Sequence, residues 1–419
     1  MNPFEQKPGC LTFENWNQLY PPKYDPHTVD PYTKCRIILM NGTEFEANWF
    51  SHQFARHTQD NDLRRTLAMS RRVEKQQQMK IANLKPGDED ILEHTIGYEQ
   101  LAVDLTAAMA RRETDPNLKR ALNFALLEDF DHLYRYADLL EMEQGVRAEH
   151  LVGHYTEIMP GRPTISEHRW PIDDIRFPIA KDAPLLARLQ AGIITAAEQQ
   201  TMNYYMNVSA FYKNDLGRRL YQEIGLIEEQ HVSQYESLQD PTATWLECLL
   251  LHEYTECYLY YSCYMDESDP VVRQIWEQCF EQEIVHLHMA VELLDRYEHK
   301  AWQQVIPDGT FPELLHIGAN IDYVREILLS VQLTGLREDY VPVSSLPDNA
   351  EFFLYQQQVN PDARIVPSHQ VIEQYLAGHG MDYRFEVGAH PVDALRDHRC
   401  DNVSIGRDRQ LQKYTAPIG

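Results

Sequence analysis

The sequence predicts a mainly α protein, built as two tandem four-helix units followed by a less regular C-terminal extension. Three observations predict it. Apolar residues recur at helical spacing from about residue 34 to 141 and again from about 184 to 299, in stretches rich in Leu, Ala, Glu, Gln, Met and Arg. Four clusters of Asn, Asp, Gly and Pro break those stretches: TQDND at 58–62, TDPN at 114–117, KNDLG at 213–217 and DESDP at 266–270. Clusters of this kind end one helix and cap the next. Finally, acidic residues stand at equal distances on either side of every cluster.

The first hairpin carries Glu44 and Glu74, 30 residues apart around TQDND, and the second carries Glu99 and Asp129, 30 apart around TDPN. Glu198 and Glu228 flank KNDLG at the same spacing, and Glu253 and Glu283 flank DESDP. Each acid lies about 15 residues from its turn, roughly 22 Å of helix, so the two acids of an antiparallel hairpin sit at one height. Three residues after the second acid of each pair stand Gln77, His132, His231 and His286, on the same helical face as that acid.

The hairpins repeat among themselves. The second follows the first by 55 residues, the fourth follows the third by 55, and the later pair follows the earlier by 154 at all six positions. This reads as a duplicated four-helix unit: one at 34–141, a connecting segment at 142–183, a second at 184–299 and an extension at 300–419. The halves are expected to pack as an internal pseudo-dimer; an exchange of hairpins between them preserves the motif order equally well.

Composition narrows the partners. A chain of 419 residues exceeds one ordinary core, and 43% hydrophobic with 24% charged residues is the balance of a soluble globular protein. The opening MNPFEQKPGC has no basic segment followed by an apolar run. WLECLLLHEYTECYLYYSCYM, the nearest approach to a membrane span, carries Glu247, Glu253, Glu256 and His252. A cytoplasmic protein without a membrane partner is expected. The seven Cys form no C-x-x-C pair, which excludes a zinc ribbon and provides no disulfide framework. A net charge of −26 repels nucleic acid and suits cations.

A bundle that turns one Glu inward from each of two helices and a Glu-x-x-His from each of the other two offers four carboxylates and two imidazoles to two divalent ions. Left without cations, buried carboxylates cost several kcal/mol each or take up protons. The order E…E-x-x-H…E…E-x-x-H resembles the ferritin-like superfamily of ferritins, rubrerythrins, manganese catalases and carboxylate-bridged di-iron oxygenases. The resemblance covers about 34–141 and 184–299. It implies a non-haem dinuclear site with two iron ions, or iron and manganese, acting on O₂ or peroxide with a separate reductant or substrate. The complete set is Glu198, Glu228, His231, Glu253, Glu283 and His286. The earlier set, Glu44, Glu74, Gln77, Glu99, Asp129 and His132, departs from the pattern at Gln77 and Asp129. That site reads either as a metal site of altered occupancy or as a vestigial polar network, with Glu46, Glu128 and Asp131 as substitute ligands if the register shifts. Iron sequestration without an organic substrate, and a metal-free helical scaffold, are the competing functions.

Several neighbours take ordinary roles. Glu256 shares a face with Glu253 and reads as part of an outward stripe in preference to an added ligand. Glu229 and Glu281 read as solvated, His288 as packing or surface, and Tyr204, Tyr205, Tyr254, Tyr258, Tyr260 and Tyr261 as core with a polar tip. A carboxylate hydrogen-bonded to a ligand imidazole is expected, its identity depending on helix rotation. In the extension, Asp393, Asp397, His398 and Cys400 match no ligand spacing and read as surface chemistry.

Overall fold

The computed structural model of the chain describes residues 1–153, 155–162, 168–330, 333–335, 340–384 and 391–392. Eight long helices carry it: α1 (Pro31–Arg56), α2 (Asn61–Ala82), α3 (Ile91–Arg112), α4 (Pro116–Gln144), α5 (Leu185–Phe211), α6 (Asp215–Glu236), α7 (Trp245–Asp266) and α8 (Pro270–Glu298). The protein is mainly α, and the four turn clusters fall between consecutive helices of each pair.

The turn residues act through their side chains. Asp60 accepts the amides of Asp62 and Leu63 at the start of α2, and Asp115 those of Asn117 and Leu118 at α4. Asn214 accepts the Gly217 amide at α6, and Asp269 those of Val271 and Val272 at α8. Pro31, Pro116 and Pro270 open their helices, where no amide hydrogen is needed. Asp90 with Glu93, and Thr244 with Glu247, close capping boxes on α3 and α7. α4 stops at Gly145, whose φ of 68° is the left-handed conformation that a glycine adopts freely.

The helices group into two compact units, and the grouping corrects the tandem division. The first unit comprises Met1–Glu89, Pro178–Gln200 and Gln239–Ile317; the second comprises Asp90–Phe177, Thr201–Leu238 and the described residues from Gly318 onward. In the first unit α1 packs against α7 and α2 against α8, so the first hairpin joins the fourth. In the second unit α3 and α4 pack together and α6 lies against α4, so the second hairpin shares its unit with α6 of the third. The units are therefore not 34–141 and 184–299. A 154-residue repeat makes the first hairpin equivalent to the third and the second to the fourth, but equivalence leaves the choice of partner open.

The connection and extension divide as well. Residues 300–317 belong to the first unit. In the second, the extension supplies α9 (Ile321–Leu328), α10 (Glu351–Val359) and α11 (Pro367–His379). A two-stranded antiparallel ribbon, β1 (Leu333–Gly335) and β2 (Tyr340–Pro342), sets Thr334 opposite Val341. α11 packs on α4 and α6. Beyond it Arg384, fully buried, pairs with Asp138, Glu141 and Glu149 at 2.8–2.9 Å and ties the extension to α4. Asp393, Asp397, His398 and Cys400 lie outside the described residues. Among the described residues no helix is long and apolar enough to cross a membrane.

Candidate metal centres

The first unit gathers Glu44 from α1, Glu74 and Gln77 from α2, Glu253 and Glu256 from α7, and Glu283 and His286 from α8. None of the seven is more than 3% exposed. Ligand atoms of Glu253, Glu256 and Glu283 lie within 4.8 Å of one another, as do those of Glu74, Glu253 and His286. His286 Nδ1 is 3.0 Å from Glu283 Oε2 and 3.9 Å from Glu253 Oε2. Gln77, at the position of a ligand His, donates through Nε2 to Glu283 Oε1 at 2.5 Å. Tyr260 donates its hydroxyl to Glu44. Oε2 of Glu44, Glu74 and Glu253, both oxygens of Glu256 and Nε2 of His286 have no hydrogen-bond partner.

Carboxylates crowded in this way do not all stay ionised. Burial, reinforced by the charge of Glu283, drives the Glu44 and Glu256 carboxyls well above the usual range. Burial does the same to Glu253, and it pushes Glu74 up to about 7 even though His286 opposes the shift. Burial would lower His286, but the charge and hydrogen bond of Glu283 outweigh it and raise the imidazole to about 10. One imidazole is too little positive charge for five carboxylates.

The second unit brings together Glu99 from α3, Asp129 and His132 from α4, and Glu228 and His231 from α6, all buried. Glu228 bridges two imidazoles, with Oε1 3.0 Å from His132 Nδ1 and Oε2 3.2 Å from His231 Nδ1. Asp129 Oδ1 lies 3.4 Å from the same His231 nitrogen. Ligand atoms of Glu99, His132 and Glu228 lie within 4.8 Å of one another, and Tyr205 donates its hydroxyl to Glu99. Burial would raise Glu228, yet the hydrogen bonds from His132 and His231 hold it far below the ordinary range; Glu99 is pushed well above it by burial.

On its far side, His231 Nε2 is 2.7 Å from Glu128 Oε2. Arg162 donates to the other oxygen of Glu128 at 3.2 Å, and Arg169 stands 4.0 Å away while pairing with Asp174 at 2.8 Å. Burial raises Glu128, but the charge of Arg169, the His231 hydrogen bond and Arg162 bring it down to about 2. Glu128 accepts from Nε2, so Nδ1, which gives its proton to Glu228 in the metal-free protein, is the nitrogen on the cluster side of the ring.

Set against the sequence, the regrouping separates Gln77 from Asp129, so each cluster carries one departure from the pattern. The set read as complete is divided: Glu253, Glu283 and His286 lie in the first unit, and Glu228 and His231 in the second. Glu198 is buried on α5, within the part of that helix that belongs to the first unit. Glu256 turns inward and is fully buried, which corrects its reading as an outward stripe; its spacing of three from Glu253 was the signal. Glu128, named as a substitute ligand, is instead the acid behind an imidazole. Tyr260 stands seven residues after Glu253 and Tyr205 seven after Glu198, a helical spacing that marks both as cluster-facing. Glu229 and Glu281 are exposed and His288 half-buried.

The donor chemistry fits divalent metal. Carboxylates with a minority of imidazoles are oxygen and nitrogen donors of the kind divalent cations take, and the unpartnered oxygens of the first cluster are acceptors that no protein donor reaches. No family model, curated protein or solved structure matches the chain.

Proposed function

We propose that the chain is a non-haem metalloprotein of the ferritin-like type, holding divalent iron or manganese at its two carboxylate–histidine clusters and acting as an oxidoreductase on O₂ or peroxide. The first cluster carries this reading. Both Glu256 oxygens and single oxygens of Glu44, Glu74 and Glu253 are buried without a donor, an arrangement that cations satisfy and protein groups do not. Glu44, Glu74, Glu253, Glu256, Glu283 and His286 would hold the ions there, and Glu99, Asp129, His132, Glu228 and His231 in the second unit. Bound iron or manganese would supply redox chemistry and open positions for the oxidant.

The remaining work falls to the chain. His286 presents Nδ1 and keeps Nε2 turned away; His231 does the same with its Nε2 proton held by Glu128. Tyr260 and Tyr205 fix one oxygen each of Glu44 and Glu99, which limits how those carboxylates swing. Burial excludes bulk water and keeps the carboxylates from hydration as their charge balance changes. The test is peroxide and O₂ consumption by protein loaded anaerobically with ferrous ion, beside Glu283→Ala. Turnover in the parent and its loss in the variant is expected; equal consumption by both would remove the oxidoreductase reading.

A further inference from the structure

In the first unit a cavity of about 190 Å³ is lined by α1, α5 and α7. Burial grades along it, from exposed Lys181, Gln239 and Gln304 at the mouth to fully buried Glu256 at the floor. Between them Phe50, Ile193, Ala196, Leu251 and Leu259 give the lining an apolar side, with Thr43, His252 and Thr255 as its polar groups. On α7, Glu247, Leu251, Thr255 and Leu259 form one stripe at a spacing of four, and roughly 13 Å of helix separates Glu247 from Glu256.

The charges at the mouth are unevenly engaged. Asp240 accepts from Thr242, Glu247 is taken by Lys300 and the Thr244 amide, and Glu46 faces His252 at 3.2 Å. The two cations feel Asp240 and Glu247 through space but touch neither. Arg188, half-buried, donates to the Val305 carbonyl at 2.7 Å, and among the described residues no carboxylate reaches it or Lys181 at ion-pair distance. Partly dehydrated and without a carboxylate at contact distance, such a guanidinium has donors left for an anion. Gly192 keeps the room open, since a Cβ built on it meets nothing within 4 Å.

We propose that this cavity binds a medium-chain amphiphilic carboxylate, its head against Arg188 and Lys181 and its apolar chain running past Ile193, Ala196, Leu251 and Leu259 toward Glu256. The metal reading underlies one part of this, that the first cluster acts on the bound molecule; the binding itself stands apart from it.

Equilibrium dialysis of labelled decanoate against the full chain, metal-free and ferrous-loaded, tests both. Saturable binding at one site per chain is expected, with decanol competing at least about tenfold more weakly and Lys181→Gln or Arg188→Gln each weakening decanoate by about tenfold. Gly192→Leu fills the cavity and is expected to abolish binding while helicity and metal content stay unchanged. No saturable binding, equal binding of decanol, or parent-like binding by a folded Gly192→Leu protein would overturn the proposal. Decanoate binding without metal uptake would keep the site and remove the metal reading; metal uptake without decanoate binding would do the reverse.

Discussion

Glu128 and Gln77 show how single side chains set the two clusters apart. Behind His231, Glu128 is a carboxylate kept ionised by Arg162 and Arg169; behind His286, Nε2 has no partner. Replacing Glu128 with Gln removes the charge that fixes the His231 proton, and is expected to weaken metal binding in the second unit by roughly 10- to 100-fold while leaving the first unchanged. Metal titration followed by separate loss of each population under a chelator reads this directly. The E-x-x-H spacing and the i+3 position of Glu256 were legible in the sequence because a helix converts spacing into a shared face. The role of Glu128 was not, because it depends on the rotation of α4 and on arginines from a distant connection. Tyr260→Phe leaves one more Glu44 oxygen without a donor, and is expected to cost the metal-free protein about 1–2 kcal/mol in denaturant unfolding.

At the scale of elements, the hairpins were legible because their turns are written in capping chemistry: Asp60, Asp115, Asn214 and Asp269 each close a helix start. Asp269→Ala is expected to cost about 1 kcal/mol, read from thermal unfolding of the first unit. The connection was less legible, since it is seated on α4 by a close backbone approach as well as by its arginines. Arg162 N donates to Leu127 O at 2.8 Å, and a Cβ on Gly161 would stand 2.3 Å from that oxygen and 2.7 Å from Asp131 N. Both neighbours are main-chain atoms and do not yield. Gly161→Ala is therefore expected to lift the segment from α4, withdraw Arg162 from Glu128 and cost roughly 1–3 kcal/mol. Parent-like stability and metal binding in that variant would contradict the close packing.

For the whole molecule, the repeat revealed that four hairpins exist and which positions correspond, yet it left partner choice undetermined. Hairpins one and four, equal in register to two and three, form the first unit through side-chain fit that spacing does not encode. The division gives the metal-free protein a pH response that differs between its units. In the first unit Glu74 rises from 4.5 to about 7, so its contribution to stability is full below pH 4.5 and is lost as pH rises through 7; the contribution of His286 is full below 6.5 and is lost as pH rises toward 10. In the second unit Glu128 falls from 4.5 to about 2, so its contribution is full above 4.5 and is lost as pH falls through 2. Glu99 and Asp174, raised in the second unit as Glu74 is in the first, weaken that unit with alkali as well, so acid separates the two: metal-free protein is expected to unfold first in its second unit at pH 3, followed by hydrogen exchange resolved along the chain. Metal should remove the alkaline weakness, because bound ions replace the protons.

The most direct measurement is metal content per chain by plasma mass spectrometry, on full-length protein purified without added metal and again after anaerobic ferrous loading, beside His286→Ala and His231→Ala. Iron or manganese in the parent is expected, each variant losing about half of it and from a different unit. A parent that holds no metal after loading, or two variants that both retain all of it, would contradict the assignment of the clusters as metal centres.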